Sequence, residues 1–334
     1  MAILWCGGED LDFPLGGGTL GVSTGATFRS GYARCSVNCN MAAGGGTNAY
    51  SNAFPAGAVT SCWLAVHMNI ANAPLATVPF FGLANTAAGS GKGLYLGTSS
   101  AGKATLFTWD GTTAVNLAQE AGTSLGLAST SRIDFQVISY GAAGTVNVYL
   151  AGALLFTFTG SLTVSGVTNL DCAAIHNTAG GNQWVSEFIV ADEDTRAFPG
   201  LVTMAPNGAG TTTNWTNNAF TNLNGTTISD AQPVSSNTNG QLQEYNLIDL
   251  PTGTFVIKAV MIAARMAKSQ SPGVTQVELG YNSGGSVAYG TGATKALTTG
   301  YTTYNQLDSI NPVTGVAWVQ ADMNGLQIDM QALT

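Results

Sequence analysis

The feature that most constrains this chain is an alternation of apolar and polar residues that recurs at a period of two. Between residues 132 and 140 nearly every second side chain is apolar, and the same alternation returns in 146–150 and in 154–158. Short segments with Gly and Ala separate the three stretches. Successive side chains of a strand point to opposite faces, so this pattern indicates half-buried strands. We predict that residues 132–158 form a three-stranded antiparallel meander.

Similar short runs predict strands along the rest of the chain. They lie at 61–70, 79–84, 93–98, 104–109, 170–176, 184–191, 242–250, 254–266, 274–281, 301–308, 314–322 and 326–330. The stretch 254–266 is apolar at successive positions, so we expect a strand buried on both faces, with a helix over 254–267 as the alternative. An acidic run, Asp192-Glu193-Asp194, precedes the breaker Phe198-Pro199-Gly200, and we place a domain boundary there. The prediction is an all-β chain with domains 1–197 and 198–334, each large enough for its own core.

Composition supports this prediction and excludes several classes of protein. The chain has 43 Gly and 10 Pro among 334 residues, and only 28 of its residues are charged. Low charge with ordinary hydrophobicity argues against disorder, and the missing helical pattern argues against a coiled coil. The ten Lys and Arg are scattered and the net charge is −8, so we expect no nucleic-acid partner. No unbroken apolar run reaches membrane-spanning length, so we expect no membrane span.

Cysteine usage favours reduced thiols over disulfides or metal. The first basic residue is Arg29, so no secretory signal peptide is expected, and the five cysteines are an odd number. Cys35 and Cys39 form a C-x3-C pair that His67 and His176 could complete as a zinc site. Because that spacing differs from the usual zinc knuckles, we predict buried thiols, no metal site and no cofactor.

Two segments carry a family resemblance. The first half opens with Ile3-Leu4-Trp5-Cys6-Gly7-Gly8-Glu9-Asp10 and ends with Trp184 to Asp192. It resembles the concanavalin A-like (LamG-type) jelly rolls of tailed-phage virion proteins. The junction 202–216 is similar to the V-x-x-L-x-P-x-G-x-G…x-W-T segment that follows that jelly roll, although Met204 replaces the usual Leu. The end, from Trp318 through Asn324-Gly325-Leu326-Gln327-Ile328, fits the same pattern.

The resemblance implies a fold and a role. The fold is a concanavalin A-like jelly-roll sandwich followed by a second, smaller β-sandwich domain. The role is that of a non-enzymatic structural component of a phage virion, such as a tail, baseplate, fibre or capsid decoration. Its partners would be other virion proteins and copies of itself, and it would be assembled into the virion in the host cytoplasm. A surface rich in neutral polar groups suits assembly, because such groups cost less to desolvate than charges.

Catalytic motifs are present but lack the context that their chemistry needs. Gly21 to Gly25 reads G-x-S-x-G, and Asp171 and His176 follow in the order of a hydrolase triad. The helix that should follow the serine is not predicted. Two carboxylate pairs, Glu9 with Asp12 and Glu187 with Asp192, are the candidates for a glycoside hydrolase, without the spacing that aligns carboxylates on one strand face. We therefore predict no catalytic residues.

The alternative function is that of a lectin-like, carbohydrate-binding module for adhesion to a glycan on the host surface. Six tryptophans could stack on sugars, although large aromatic residues more often fill cores. Trp109 precedes an Asp110-Gly111 turn at the end of a predicted strand, where a ligand could reach it. Trp109 and Asp110 are therefore the predicted ligand-binding residues.

Overall fold

The structure is a computed structural model. It describes residues 3–17, 21–23, 36–38, 47–70, 77–125, 130–177, 183–197, 200–225, 229–269 and 273–334. The segments that hold Cys35, Cys39, Gly25 and Arg29 lie outside these residues. The chain divides into two compact units, Met1–Leu201 and Val202–Thr334.

The first unit consists almost entirely of strands. They are β1 (Ile3–Gly7), β2 (Leu15–Gly17), β3 (Gly21–Ser23), β4 (Ser36–Asn38), β5 (Thr47–Tyr50), β6 (Cys62–Ile70), β7 (Val78–Ala84), β8 (Gly93–Thr98), β9 (Ala104–Trp109), β10 (Ala114–Gln119), β11 (Thr130–Ser139), β12 (Gly144–Leu150), β13 (Ala153–Gly160), β14 (Cys172–Asn177) and β15 (Gln183–Ala191). The predicted meander is confirmed, because β11 pairs with β12 and β12 pairs with β13, all antiparallel.

These strands form two sheets. The first, which we call sheet A, has the order β13-β12-β11-β6-β15-β4-β3, and β1 also pairs with β15. The second, sheet B, has the order β10-β9-β8-β7-β14-β5-β2. Consecutive strands pair at one end of each sheet, but strands far apart in sequence also become neighbours, as β6 beside β15 and β7 beside β14 illustrate. Such crossing connections are typical of jelly rolls.

The two sheets bury a common core of aromatic and aliphatic side chains. Phe81 of sheet B and Phe188 of sheet A meet edge to face, with ring centroids 6.3 Å apart. Trp5 and Phe13 surround the same Phe188 ring at 6.3 and 5.1 Å. Edge-to-face contacts of this kind add to the free energy gained from burying the rings. Because the Phe81 side faces sheet A, residues one position away in β7 belong to the outer face of sheet B.

Two edge strands of this unit carry no charged residue and no proline. They are β10 and β13, the terminal strands of sheets B and A. Val115 of β10 and Leu154 of β13 are 51% and 57% exposed. Charged residues and proline are the usual protection of an open sheet edge, and neither is present here.

The second unit is a smaller β structure with its own core. Its strands are β16 (Pro206–Thr213), β17 (Leu242–Leu247), β18 (Val260–Met266), β19 (Gln276–Ser283), β20 (Ser286–Ala296), β21 (Thr302–Asp308) and β22 (Gln327–Leu333), with one short helix, α1 (Gln320–Met323). A five-stranded sheet has the order β16-β17-β22-β19-β20, and β18 pairs with β21. Tyr245, Leu279 and Tyr281 of the larger sheet pack with Ile262 of the smaller one around Trp318. The predicted fold class, a jelly-roll sandwich followed by a smaller β-sandwich, is thereby confirmed.

Two strand predictions in this unit are wrong. The stretch 254–266 is a strand only from Val260, and Val256 is 78% exposed rather than buried. Residues 314–322 form a single bridge between Ile310 and Ala317 and then helix α1. Both stretches are apolar in sequence but lack a partner strand over most of their length, and apolar runs alone do not specify one. Among the described residues, no helix is long and apolar enough to cross a membrane.

Candidate functional site

The outer face of sheet B carries aromatic side chains, although the outer face of a sandwich is usually polar and solvated. Tyr95 lies opposite Gly82, Phe107 lies opposite Tyr95, and Trp109 lies opposite Gly93. These side chains share one face because paired residues point the same way. Tyr95, Phe107 and Trp109 are buried there with Cys172 and Ala174, in a cluster separate from the core of the second unit. An antiparallel sheet commonly exposes one face to water, so this second apolar face requires an explanation.

His176 lies at the centre of this face. Its ring is 4.2 Å from the Trp109 ring, tilted by 47°, and 5.8 Å from the Tyr95 ring, edge to face. Its partner across the ladder is Asn48 of β5. We call Trp109, Tyr95, His176 and Asn48 the Trp109 cluster. Four strands contribute one side chain each, so the arrangement depends on the register of the whole sheet.

The loop 85–92, which connects β7 and β8, is hydrogen-bonded onto the cluster. Asn48 Nδ2 and Trp109 Nε1 both donate to the Ser90 carbonyl, at 2.5 and 3.1 Å. The Tyr95 hydroxyl donates to the Gly91 carbonyl at 2.5 Å. Gly91 has φ +58°, and a Cβ there would lie 2.3 Å from Asn48 Oδ1. A side chain at this position would therefore collide with the cluster, and glycine lets the loop approach it.

Three polar atoms of the cluster have no hydrogen-bond partner within the described part of the chain. They are both ring nitrogens of His176 and Asn48 Oδ1, and all three are buried. His176 is only 1% exposed, and burial lowers its pKa to about 4. The imidazole is therefore neutral near pH 7, with one nitrogen as a donor and the other as an acceptor. Buried polar groups are nearly always paired, so these three atoms indicate a missing partner.

The two residues that the sequence singled out lie beside this cluster. Trp109 belongs to it, 8% exposed, with its ring against His176. Asp110 is exposed in the β9–β10 turn, where its Oδ1 accepts from Thr112 N, Thr112 Oγ1 and Thr113 N at 2.8, 2.9 and 2.7 Å. These bonds, above all the one from Thr113 N–H, lower the Asp110 pKa. Ligand binding by either residue stays a prediction, and Asp110 has a structural role in the turn.

A second aromatic cluster, on the outer face of sheet A, has the opposite character. Trp63 and Tyr149 stack at 5.5 Å, and the Arg196 guanidinium lies 4.3 Å from the Tyr149 ring and 5.2 Å from the Trp63 ring. We call these three residues the Trp63 cluster. Arg196 is also paired with Asp194 at 2.6 Å. A cation over two rings is a favourable arrangement, so the charge here has its partners.

Next to the Trp63 cluster, a buried carboxylate is also fully paired. Asp134 accepts from Arg132 Nη2 at 3.0 Å and Arg132 Nε at 3.2 Å, and from the Thr195 hydroxyl at 2.7 Å. Arg132 Nη2 additionally donates to the Thr195 carbonyl. Strand β11 and the segment after β15 are thereby joined through one carboxylate.

The second unit holds a pair of buried carboxyl groups on the outer face of its larger sheet. Glu244 and Asp329 are ladder partners on β17 and β22. Glu244 accepts from Asn282 Nδ2 at 2.5 Å and from Thr212 N at 2.6 Å. Asp329 accepts from the Tyr289 hydroxyl at 2.6 Å, while its Oδ2 is buried and has no hydrogen-bond partner. Burial, together with the charges of Glu244 and Glu278, raises the pKa of Asp329 to about 6.

The hydrolase triad that the sequence suggested is not assembled by the described side chains. Asp171 accepts from the Thr86 amide and hydroxyl, both at 2.7 Å, rather than from His176. Ser23 lies in β3 of sheet A, whereas His176 belongs to sheet B. The side chain of Ser23 and the residues after it lie outside the described part.

Carboxylates of both candidate glycosidase pairs accept hydrogen bonds from backbone amides. Asp12 Oδ2 accepts from the amides of Gly8 and Glu9 at 2.7 and 3.0 Å. Glu187 has φ +54° at an irregularity of β15, and its Oε2 accepts from the Leu201 amide.

Metal and thiol chemistry find little support among the described residues. They contain no group of three or more His, Cys, Asp or Glu that could hold a metal ion. Cys6, Cys62 and Cys172 are buried free thiols, and burial raises the pKa of Cys6 and Cys62 to about 12. A thiol with such a pKa stays protonated and unreactive at neutral pH.

Comparisons with known proteins place this chain near several β-sandwich structures. Neither a family model nor a curated protein matches the chain. Among solved structures it is similar to the carbohydrate-binding module CBM66 from Bacillus subtilis, with 10% identity over 47% of this chain and 86% of that one, at a TM-score of 0.33. It is also similar to an endo-β-1,4-glucuronan lyase from the fungus Trichoderma reesei, with 10% identity over 57% and 96%, at 0.39.

A receptor-binding domain has a comparable likeness. The botulinum neurotoxin type G receptor-binding domain shares 9% identity over 58% of this chain and 48% of that one, at a TM-score of 0.35. The three proteins differ in what their names say they do. At such identities and TM-scores, none of these three likenesses indicates what this chain binds.

Proposed function

We propose that this protein is a non-enzymatic binding protein whose first unit holds a carbohydrate at the Trp109 cluster. One observation carries the proposal: aromatic rings and unpartnered polar atoms occur together on the outer face of sheet B. Binding sites for small molecules combine apolar and aromatic walls with a few convergent polar groups. Sugars present apolar ring faces and hydroxyl groups, and this cluster offers a complement to both.

The test is a glycan array probed with the full chain and two matched variants. Trp109→Ala and Trp63→Ala remove the same side chain from positions that are each 8% exposed, one in each cluster. We expect the unaltered chain and Trp63→Ala to bind the same glycans, and Trp109→Ala to lose them. Circular dichroism of each variant reports whether the fold survives. An array without any bound glycan would overturn the proposal, and so would equal loss in two folded variants.

A second candidate function is assembly into a virion, as the family resemblance implies. The uncharged edge strands β10 and β13, with Val115 and Leu154 exposed, favour it. An open edge can pair with a strand of another chain, and a neutral one does so without desolvating charges. Electron microscopy and light scattering of the purified chain test this function. A symmetric assembly is expected, and a monomer that persists at high concentration contradicts it.

A further inference from the structure

The donor and acceptor character of the three unpartnered atoms in the Trp109 cluster defines which ligand groups could bond to them. Asn48 Oδ1 is an acceptor, and the neutral His176 ring supplies one donor and one acceptor. Because Asn48 and His176 are ladder partners, their Cβ atoms lie about 5 Å apart. The missing partners must therefore supply two donors and at least one acceptor. Two adjacent hydroxyl groups can bond to Asn48 Oδ1 and to the imidazole nitrogen nearer to it, while the other nitrogen, on the opposite side of the ring, needs a further hydroxyl group or a water.

The charges around the cluster select against acidic sugars. Neither Asn48 nor His176 carries charge near pH 7, and no described cation belongs to the cluster. Among the described residues, the charged side chains of the loop 85–92 and of its neighbours are Lys92, Asp110, which Lys92 approaches, and Asp171, which accepts from Thr86 of the loop. A carboxylate brought into this face would lose its water without gaining a cationic partner, which is costly.

Access to these atoms runs through the loop 85–92. The Ser90 and Gly91 carbonyls of the loop accept three hydrogen bonds from the cluster, while its first residues are held elsewhere, by Asn85 on Asn169 and Thr86 on Asp171, so the part that can lift is around residues 90 and 91. The donors of the cluster are side chains of β5, β9 and β8, and the loop supplies only backbone acceptors to them. Hydroxyl groups of a ligand can accept from the same donors once the loop lifts. Opening the loop is therefore a cost that binding offsets.

We infer that His176 and Asn48 read a vicinal diol of a neutral saccharide, which enters beneath the loop 85–92. This inference rests on the proposed carbohydrate-binding function and adds the ligand class and the residues that recognise it. The competing occupant of such a place is an ordered water, which also satisfies orphaned polar atoms.

Nitrogen-15 NMR of the histidine side chains tests the inference on the full chain. The sequence has two histidines, His67 and His176, so His176→Phe assigns both sets of ring signals. The probes are a neutral saccharide selected by the array, its 2-deoxy or O-methyl analogue lacking the diol, and a matched uronate. We expect the neutral saccharide alone to shift the His176 ring signals, while those of His67 stay in place.

Affinities from calorimetry give the second readout. Asn48→Ala and His176→Phe should each weaken neutral-saccharide binding about ten-fold or more, because each removes hydrogen bonds to the diol. Trp109→Phe keeps a ring against His176 but removes one bond that holds the loop. Because Trp109 Nε1 would donate to the loop in the closed state and to the ligand in the open state, its loss should change the affinity by less than about three-fold, and Trp63→Phe should leave it unchanged.

The outcomes separate this inference from the function on which it rests. If the array is positive but His176 does not respond, water alone occupies the place and the inference is wrong. Preference for uronates over neutral sugars also overturns it, and carbohydrate binding by the first unit then still stands. If no glycan binds at all, the proposed function and the inference fail together.

Discussion

The Trp63 and Trp109 clusters occupy the outer faces of the two sheets of one sandwich, yet the charged group of the first has bonding partners and three polar atoms of the second have none among the described residues. At the Trp63 cluster, Arg196 has a carboxylate and two aromatic rings as partners. At the Trp109 cluster, His176 has aromatic neighbours but no hydrogen-bond partner within the described residues. Exposure does not distinguish the two tryptophans, since both are 8% exposed.

The two clusters therefore differ in the hydrogen bonding of their polar groups. A buried polar group that is fully paired holds its neighbours in one arrangement, and removing it leaves them unpaired. A group that is already unpaired contributes little that a substitution could remove. The hydrogen bonding of each polar atom, rather than the presence of aromatic rings, is therefore the basis on which we propose sheet B as the binding face.

The largest expected effect concerns the paired carboxylate beside the Trp63 cluster. Asp134→Ala leaves Arg132 and Thr195 without their shared partner, and we expect a loss of about 3–5 kcal/mol in the free energy of unfolding. His176→Phe, which replaces an unpaired ring with an apolar one, should cost less than about 1 kcal/mol. Urea denaturation at pH 7 measures both. Equal losses for the two variants would mean that His176 has a buried hydrogen-bond partner, and the proposed difference between the two clusters would be wrong.

The next effect is the pH dependence that His176 imposes. Burial lowers its pKa from 6.5 to about 4 in the folded protein. Below pH 6.5 the unfolded chain binds a proton at this residue and the folded chain does not. The free energy of unfolding therefore decreases as the pH is lowered from 6.5 to about 4, and this group has no further effect below that. The loss amounts to roughly 3 kcal/mol. The difference between wild type and His176→Phe, measured from pH 7 to pH 4, isolates it, and identical slopes would contradict the burial.

A slightly smaller effect, of opposite sign, is expected from Asp329 in the second unit. Its pKa is raised from 3.8 to about 6, so the folded protein takes up the proton first. The contribution is fully present below pH 3.8 and is lost as the pH rises through 6, by about 3 kcal/mol. Asp329→Asn should remove this slope and leave that of His176 in place. Unfolding of His176→Phe and Asp329→Asn in parallel shows whether a buried polar atom without a hydrogen-bond partner marks a residue with a shifted pKa in each unit.

Much of the fold follows from sequence because alternation is local. The meander of β11 to β13, and strands such as β8 and β9, occur where the pattern placed them. Strand β10 was missed, since Asn116 and Gln119 interrupt its apolar side, and its edge position tolerates that. The stretch from Thr254 was assigned too early, because Val256 faces solvent and no described strand pairs with this stretch before Val260.

The site follows from sequence only in part. Trp109 was found because an aromatic residue beside an Asp-Gly turn is a local signal. Asn48 was missed and His176 was considered only as a metal ligand or a triad member. The two are brought together by the pairing of β5 with β14. That register links positions more than a hundred residues apart, and no local pattern encodes it. The alternation of β14 could have placed His176 on one face with Cys172 and Ala174.

The open, uncharged edges of β10 and β13 have a consequence for how many copies of this chain can coexist. Each edge presents backbone N–H and C=O groups in a row, and its side chains offer no repulsion. As copies become crowded, strand addition between them competes with remaining separate. We therefore expect these two strands to limit the concentration at which the chain stays dispersed, and we expect Val115→Lys or Leu154→Lys to raise that limit.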